Sequence, residues 1–325
     1  MRSIIAKIAQ AIGLILAVIV LNFSMIHLTP GDPATVIAGE SGAGDPETIA
    51  QIRAEYGLDR PFIVQLGSYI GDVVQGDLGF SFFFDRPVTE LIGERLWPTV
   101  LLVGTSLVFA VVFGVLAGVF TARRPESAAS HSVTVLALVG YSMPVFWTGI
   151  LLIILFASVF DILPISGMRD VRFEGGSISA VFDVLRHLIL PALTLGLLYL
   201  AQYSRLSRAS MLEVLESDYV RTARAKGLSE RVVVYKHALR NAVIPVVTIA
   251  GLQFGALLSG ALLVETVFNW PGLGRLAFDS ILRRDTSVLL GVLLMSAVLV
   301  VVANLLTDLV YRLIDPRIRV GGSGG

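Results

Sequence analysis

Residues 216–246 read ESDYVRTARAKGLSERVVVYKHALRNAVIPV, a charged, helix-forming stretch with Gly227 near its middle, in a chain that is otherwise strongly apolar. Asp218 stands where a helix cap is needed. The run Tyr219 to Lys226 then ends at Gly227, the residue type that most readily takes the left-handed conformation closing a helix. Ser229 is placed to cap a second helix, which begins Glu230-Arg231 and enters an apolar run near Pro245. Two short helices joined at a tight turn are expected, within a loop 205–241 that carries eight basic and four acidic side chains.

Outward from this stretch the sequence reads as that of a membrane protein. Of 325 residues 55% are hydrophobic and 15% charged, a balance that few water-soluble globular domains show. Apolar runs lie at 8–28, 99–122, 133–160, 187–204, 242–264 and 288–311, each near the length of about 20 residues that a helix needs to cross the hydrocarbon. The expected architecture is all-α and polytopic, with six transmembrane helices. The first run follows Arg2 and Lys7 as a signal peptide would, but its apolar core is too long and no small-x-small cleavage site follows, so it reads as a retained helix. The last residues, 321–325, read as a glycine-serine linker remnant.

Six spans place both termini on one side with loops 123–132 and 205–241. That side holds 15 of the 25 basic residues and seven of the 25 acids, a net charge of +8 against −8 opposite. The excess of Lys and Arg assigns it to the cytoplasm, together with both termini. An overall charge of zero gives no reason to expect nucleic-acid binding. There is no cysteine, and His27, His131, His187 and His237 are scattered, so no metal-ligand pattern is present. The sequence contains no G-x-x-x-x-G-K-[ST], no H-E-x-x-H and no G-x-S-x-G; Ser142, in GYSMP at 140–144, has no histidine and acid partner and reads as a small packing residue. An enzyme acting alone is not indicated, and no catalytic residue is assigned.

About 70 residues separate the first two runs, too many for a simple connection. They read as an outer helical lobe at 30–98. Asp45-Pro46-Glu47 is a helix start, continued by Ile49, Ile52 and Tyr56 and stopped at Gly57; a second amphipathic segment runs from Pro61 to Gln75 with Phe62, Leu66, Tyr69, Ile70 and Val73 on one face. The lobe either caps the outer helix ends or helps receive a partner or substrate. Inside the spans ionisable residues are scarce. Glu265 and Asp308 lie near opposite ends, where hydration is at hand, and read first as helix-end anchors. A proton-driven carrier would place acids or histidines near the midplane, which weighs against an ion-coupled secondary transporter of small solutes, the alternative reading. Gly114-x-x-x-Gly118 and Gly251-x-x-x-Gly255, with Gly104 and Gly260, allow close helix approach, either within one subunit or against a second one.

Three readings of 205–241 compete: a basic segment held by anionic lipid, a nucleic-acid or small-ligand site, and a docking helix for a cytoplasmic protein. Neither interleaved aromatics nor a glycine-rich phosphate loop supports the second. The third accounts for ordered polar helices fixed to two spans, because a packed helix passes on a push as a unit.

At these residues the stretch resembles the cytoplasmic signature of ABC-importer permeases, whose short coupling helix docks on an ATPase subunit. Where the general signature has a glutamate-alanine-alanine triplet, this chain has Arg221, Thr222 and Ala223, followed by Gly227. DYVRTARAKGL with ALRNAVIP downstream is similar to the form in the dipeptide, oligopeptide and nickel permease branch. LTPGDP at 28–33, YGLDRPF at 56–62, QGDLGFS at 75–81, ERLWPT at 94–99, VETVFNWPGLGRL at 264–276 and DPRIR at 315–319 extend the resemblance over nearly the whole chain. It implies a type I importer fold and coupling residues Asp218, Tyr219, Arg221, Thr222, Ala223, Arg224, Ala225, Lys226 and Gly227, between the fourth and fifth spans. It further implies a peptide-importing permease in a bacterial inner membrane, working with a second homologous permease, two ATPase subunits that hold ATP and Mg, and an extracytoplasmic binding protein. This chain itself would hold no cofactor. The resulting division is a first span at 1–29, the lobe at 30–98 and a permease core at 99–320; substrate-contacting residues are not assigned.

Overall fold

The computed structural model of the chain describes residues 2–28, 35, 38, 45–55, 59–170 and 176–314. Among them the only strands are a two-residue antiparallel hairpin, β1 (Phe80–Ser81) with β2 (Arg86–Pro87), and the fold is otherwise helical. Five helical runs are long and apolar enough to cross a membrane, at Ala6–Met25, Val88–Arg123, Ile178–Leu215, Glu230–Gly251 and Thr286–Thr307, and a bent pair makes a sixth if its halves form one span. Internal contacts divide the chain into two units, 1–97 with 276–301 and 98–275 with 302–325.

In the first unit α1 (Arg2–Leu28) packs on α3 (Phe62–Val74) through rings: Phe23 lies 5.0 Å from Phe62 and 5.7 Å from Tyr69, and His27 Nε2 bonds Gln65 Oε1 at 3.0 Å. α2 (Pro46–Glu55) begins as its sequence requires, with the Asp45 carboxylate accepting the Thr48 amide N–H at 3.0 Å. The stop expected at Gly57 lies outside the described residues. Asp285 caps the final helix by accepting the Val288 N–H at 3.1 Å and also takes the Ser81 hydroxyl proton in a hydrogen bond, which ties the hairpin to that helix start.

In the second unit the part of α4 (Val88–Arg123) from Pro98 onward, α5 (Ala128–Ser142), α6 (Val145–Leu152, prolonged by a π-helical stretch Ile153–Val159) and α7 (Ser177–Leu215) form most of the core. The expected third span is not straight: α5 and α6 meet at 111°. Met143 precedes Pro144 and is held extended at ψ 139, because the proline ring excludes the helical region for the residue before it. The helical run that contains the expected fifth span, 242–264, begins earlier, at Glu230, and continues through α10 (Ile244–Leu252) and α11 (Phe254–Val267), with interruptions at Val243 and Gln253. Pro245, which has no N–H to donate, sits in the first turn of α10, where it is tolerated.

Four of the spaced glycines, Gly114, Gly118, Gly251 and Gly260, pack within the chain, while an added Cβ on Gly104 would meet nothing within 4 Å. A Cβ on Gly114 would lie 2.7 Å from Tyr203 Cβ, and one on Gly118 would lie 2.5 Å from Ser207 Cβ, so α4 and α7 touch backbone to backbone there. Gly251 lies against Thr307, and a Cβ on Gly260 would be 3.1 Å from Leu195. Of the two readings, contact within one subunit holds at these four positions, because their Cβ space is filled by this chain's own helices.

Candidate functional site

The charged stretch folds as α8 (Asp218–Ala225), a turn at Gly227, and α9, which runs Glu230–Val232 and on through a π-helical stretch Val233–Ala238. The cap is one residue earlier than expected. Ser217 is the N-cap residue, its carbonyl accepting the Val220 and Arg221 N–H groups at 3.1 Å, while its hydroxyl turns back to the Val214 carbonyl. Asp218 therefore sits in the first turn, where a carboxylate suits the positive end of the helix dipole. Lys226 is the C-cap rather than the last helical residue. At the far end Gly227 takes φ +76, its N–H reaching the Arg224 carbonyl at 2.9 Å and the Leu228 N–H the Ala223 carbonyl at 3.4 Å. These two bonds are the pair that closes a helix through a left-handed residue. Ser229 does occupy the N-cap of α9, but its side chain makes no capping bond.

α8 is fixed from beneath. Val220 is fully buried and Ala223 nearly so, in a cluster with Met211, Val233, Val234 and Ala238. The wider π turn keeps Val233, Val234 and Ala238 inward while Tyr235 and Lys236 remain exposed. Arg224 braces the turn, donating from Nε (3.2 Å) and Nη2 (2.9 Å) to the two oxygens of Glu230 and holding that carboxyl below its ordinary range. Asn241 Nδ2 donates to the Tyr219 hydroxyl at 2.8 Å. Asp218, Arg221, Thr222, Ala225, Lys226 and Gly227 are left exposed on the outer side. Of the nine expected coupling residues eight are thus accessible. Ala223 faces the core, and Val220, outside that set, is the main anchor. A hydrophobic residue three before Ala223 was the available signal for it.

A second polar centre lies at the end of α11. Glu265 was expected to be hydrated but is fully buried. Its Oε1 accepts the Thr99 hydroxyl at 2.7 Å and its Oε2 the Arg275 backbone N–H at 3.0 Å, while Thr99 Oγ1 accepts the Leu273 N–H at 2.8 Å. Trp270 Nε1 donates to the Pro98 carbonyl at 2.9 Å, and a Cβ on Gly272 would collide with the carboxylate. The anchoring role stands, in a dry setting: the carboxylate folds the turn 268–275 back onto α4. The Asp308 side chain lies outside the described residues.

Residues 110–320 match the family described as "Binding-protein-dependent transport system inner membrane component", and residues 1–103 match the corresponding N-terminal family. The chain belongs to this family. It is a multi-pass inner-membrane permease of the ABC-importer class, and the full-length match bears out the all-helical polytopic reading. The permease is 42% identical over 336 residues to the dipeptide transport system permease protein DppB of Escherichia coli K12, covering 98% of this chain and 99% of that one. It is 42% identical over 330 residues to the di/tripeptide transport system permease protein DppB of Pseudomonas aeruginosa, covering 96% and 98%. It is 43% identical over 319 residues to the glutathione transport system permease protein GsiC of Escherichia coli O6:H1, covering 98% and 99%. The MetNI methionine ABC transporter, solved in inward-facing conformations, superposes with a TM-score of 0.55 at 18% identity over 69% of this chain and 96% of its own, which shows the shared fold.

Proposed function

We propose that this permease forms half of the pore of an ATP-driven importer of di- or oligopeptides and that α8, with the turn at Gly227, receives a cytoplasmic ATPase subunit. The single observation that carries the docking role is a short helix fixed from below by Val220 and Ala223, closed at Gly227 and braced by Arg224 with Glu230, whose outer side is polar and open. A solvated connection needs no such anchoring. The peptide cargo is supported by relatives that carry dipeptide and di/tripeptide names at 42% identity. In this reading the pore is completed by a second homologous permease, peptide arrives from an extracytoplasmic binding protein, and ATP with Mg is held by two partner ATPase subunits. The loop 205–241 and both termini face the cytoplasm on the charge asymmetry of the sequence, the lobe 30–98 lies outside, and 99–320 is the core. Residues 321–325, read as a linker remnant, lie outside the described residues.

The test is uptake of a labelled dipeptide by proteoliposomes carrying both permeases, with binding protein and ATPase subunits added or withheld. Uptake that needs ATP and every component supports the reading. Uptake driven by an ion gradient without the ATPases overturns it in favour of a secondary carrier.

A further inference from the structure

Polar side chains of the second unit gather on α5, α7 and the α10–α11 break, from within the apolar runs 187–204 and 242–264 to the start of the loop 205–241. Gln253, at that break, donates from Nε2 to Gln202 Oε1 on α7 at 2.9 Å. One turn further along α7 the Arg205 guanidinium stands 5.7 Å from the Tyr141 ring of α5. A turn beyond it Arg208 follows, its Nε buried without a hydrogen-bond partner. A cavity of about 20 Å³ beside them is lined by Thr121, Thr134, Ser204, Arg205 and Arg208, among others, enough for about one water molecule. Tyr141 is half exposed and Arg205 exposed.

Gln202 and Gln253 lie in the apolar runs 187–204 and 242–264. Arg205 opens the loop 205–241 that the charge asymmetry assigns to the cytoplasm, and Gly118, packed against Ser204 and Ser207, is followed by about 7.5 Å of helix before α4 ends at Arg123, so the two arginines stand towards the cytoplasmic end of the spans. Among the described residues no carboxylate pairs with Arg205 or Arg208. Glutamines inside apolar runs face a bundle interior or a water-filled path rather than lipid. A hydrogen-bonded glutamine pair on neighbouring helices, with an exposed arginine one turn further towards the cytoplasm, fits the inner end of such a path.

Resting on the reading of this chain as a peptide permease, we infer that Tyr141, Gln202, Arg205 and Gln253 line the solute path, with Arg205 taking the α-carboxylate of a short peptide and the glutamine pair its backbone amide. The planar guanidinium matches a carboxylate with paired donors, and a glutamine amide offers one donor group and one acceptor to a peptide bond. Every linear peptide carries these two features whatever its side chains, so the arrangement is tolerant of sequence.

The chain has no cysteine, so single cysteines report water access directly. In the complete complex in proteoliposomes, Arg205→Cys and Gln253→Cys are expected to react with a charged thiol reagent at least tenfold faster than Val108→Cys, an exposed apolar position on α4. Equal rates overturn the path. Arg205→Gln is expected to lower dipeptide uptake about tenfold, as loss of a charge-assisted hydrogen bond implies, with Arg205→Lys, which keeps the charge but not the paired donors, falling between that variant and the unsubstituted complex. Unchanged uptake in Arg205→Gln overturns the carboxylate contact, and should that variant not assemble, the labelling of Gln253→Cys decides. If both cysteines label but the unsubstituted complex moves no peptide, the peptide reading fails and the path stands. If peptide moves and neither cysteine labels, the path fails and the peptide reading stands.

Discussion

Gly118 and Gly227 are both glycines for reasons the structure separates. At Gly227 the backbone is left-handed at φ +76 and an added Cβ meets nothing within 4 Å; at Gly118 the Cβ would stand 2.5 Å from Ser207 Cβ and 2.7 Å from the Ser204 carbonyl oxygen. Gly227→Ala therefore carries only a conformational cost, about 1 kcal/mol. Gly118→Ala must push apart a pair of packed helices at about 1–3 kcal/mol, the range for overpacking. Thermal unfolding of the purified permease should rank them in that order, and hydrogen exchange in α4 and α7 should rise in Gly118→Ala alone. Glu265 makes a third case. Replacing it with Gln keeps the shape but sets an NH₂ against the Thr99 hydroxyl or the Arg275 N–H. The expected loss is about 1–3 kcal/mol, the cost of leaving a buried hydrogen-bonding group unmatched, read as a fall in the thermal unfolding midpoint.

The element α8 shows what a sequence can reveal and what it hides. Its end was legible because the left-handed glycine and its two closing bonds lie within six residues. Its start was misplaced by one, since Ser217 and Asp218 are both good caps and the choice depends on the Val214 turn preceding them. The break between α5 and α6 was hidden for another reason: the apolar run across Pro144 is long enough for one span, and a proline within such a run is compatible with a kinked helix as well as with a full break. The burial of Glu265 was not legible at all, because its partner Thr99 is 166 residues away. Arg224 and Glu230 bridge the turn, yet their side chains are about half exposed, at 42% and 52%. Arg224→Ala should therefore cost under about 1 kcal/mol, as surface ion pairs do, while raising amide exchange at Gly227 and Leu228. The pH dependence has a definite sign. Hydrogen bonding from Arg224 lowers the Glu230 pKa in the folded chain, so its contribution is fully present above the unfolded carboxylate value, about 4.3, and is lost as pH falls through the lower folded value. Protection of the turn amides, taken relative to the intrinsic exchange rate at each pH, should fall on acidification through that window and should not do so in Glu230→Gln.

At the scale of the whole molecule, the helical, membrane-spanning character follows from hydropathy alone, because the bilayer admits few other backbones. Which loops serve partners does not follow from hydropathy and depends on how charge is displayed on the folded chain. On α8 the anchored side is apolar, Arg224 is committed to Glu230, and Arg221 and Lys226 are left as outward cations, Arg221 with only a 3.7 Å contact to the fully exposed Asp218 carboxylate. If this surface meets an ATPase subunit, those two cations act at the rim of the interface, where charges govern encounter rate and partner choice more than the folded state. The double variant Arg221→Glu with Lys226→Glu should then keep the thermal stability of the isolated permease. It should slow association with the ATPase subunit about tenfold or more at low salt, with the difference shrinking as ionic strength approaches about 1 M, where screening acts within about 3 Å. Association kinetics that ignore both substitutions at every salt concentration would assign the ATPase contact to another surface of the chain. Compensating reversals on the ATPase that restore the rate would identify α8 as the element on which that subunit docks.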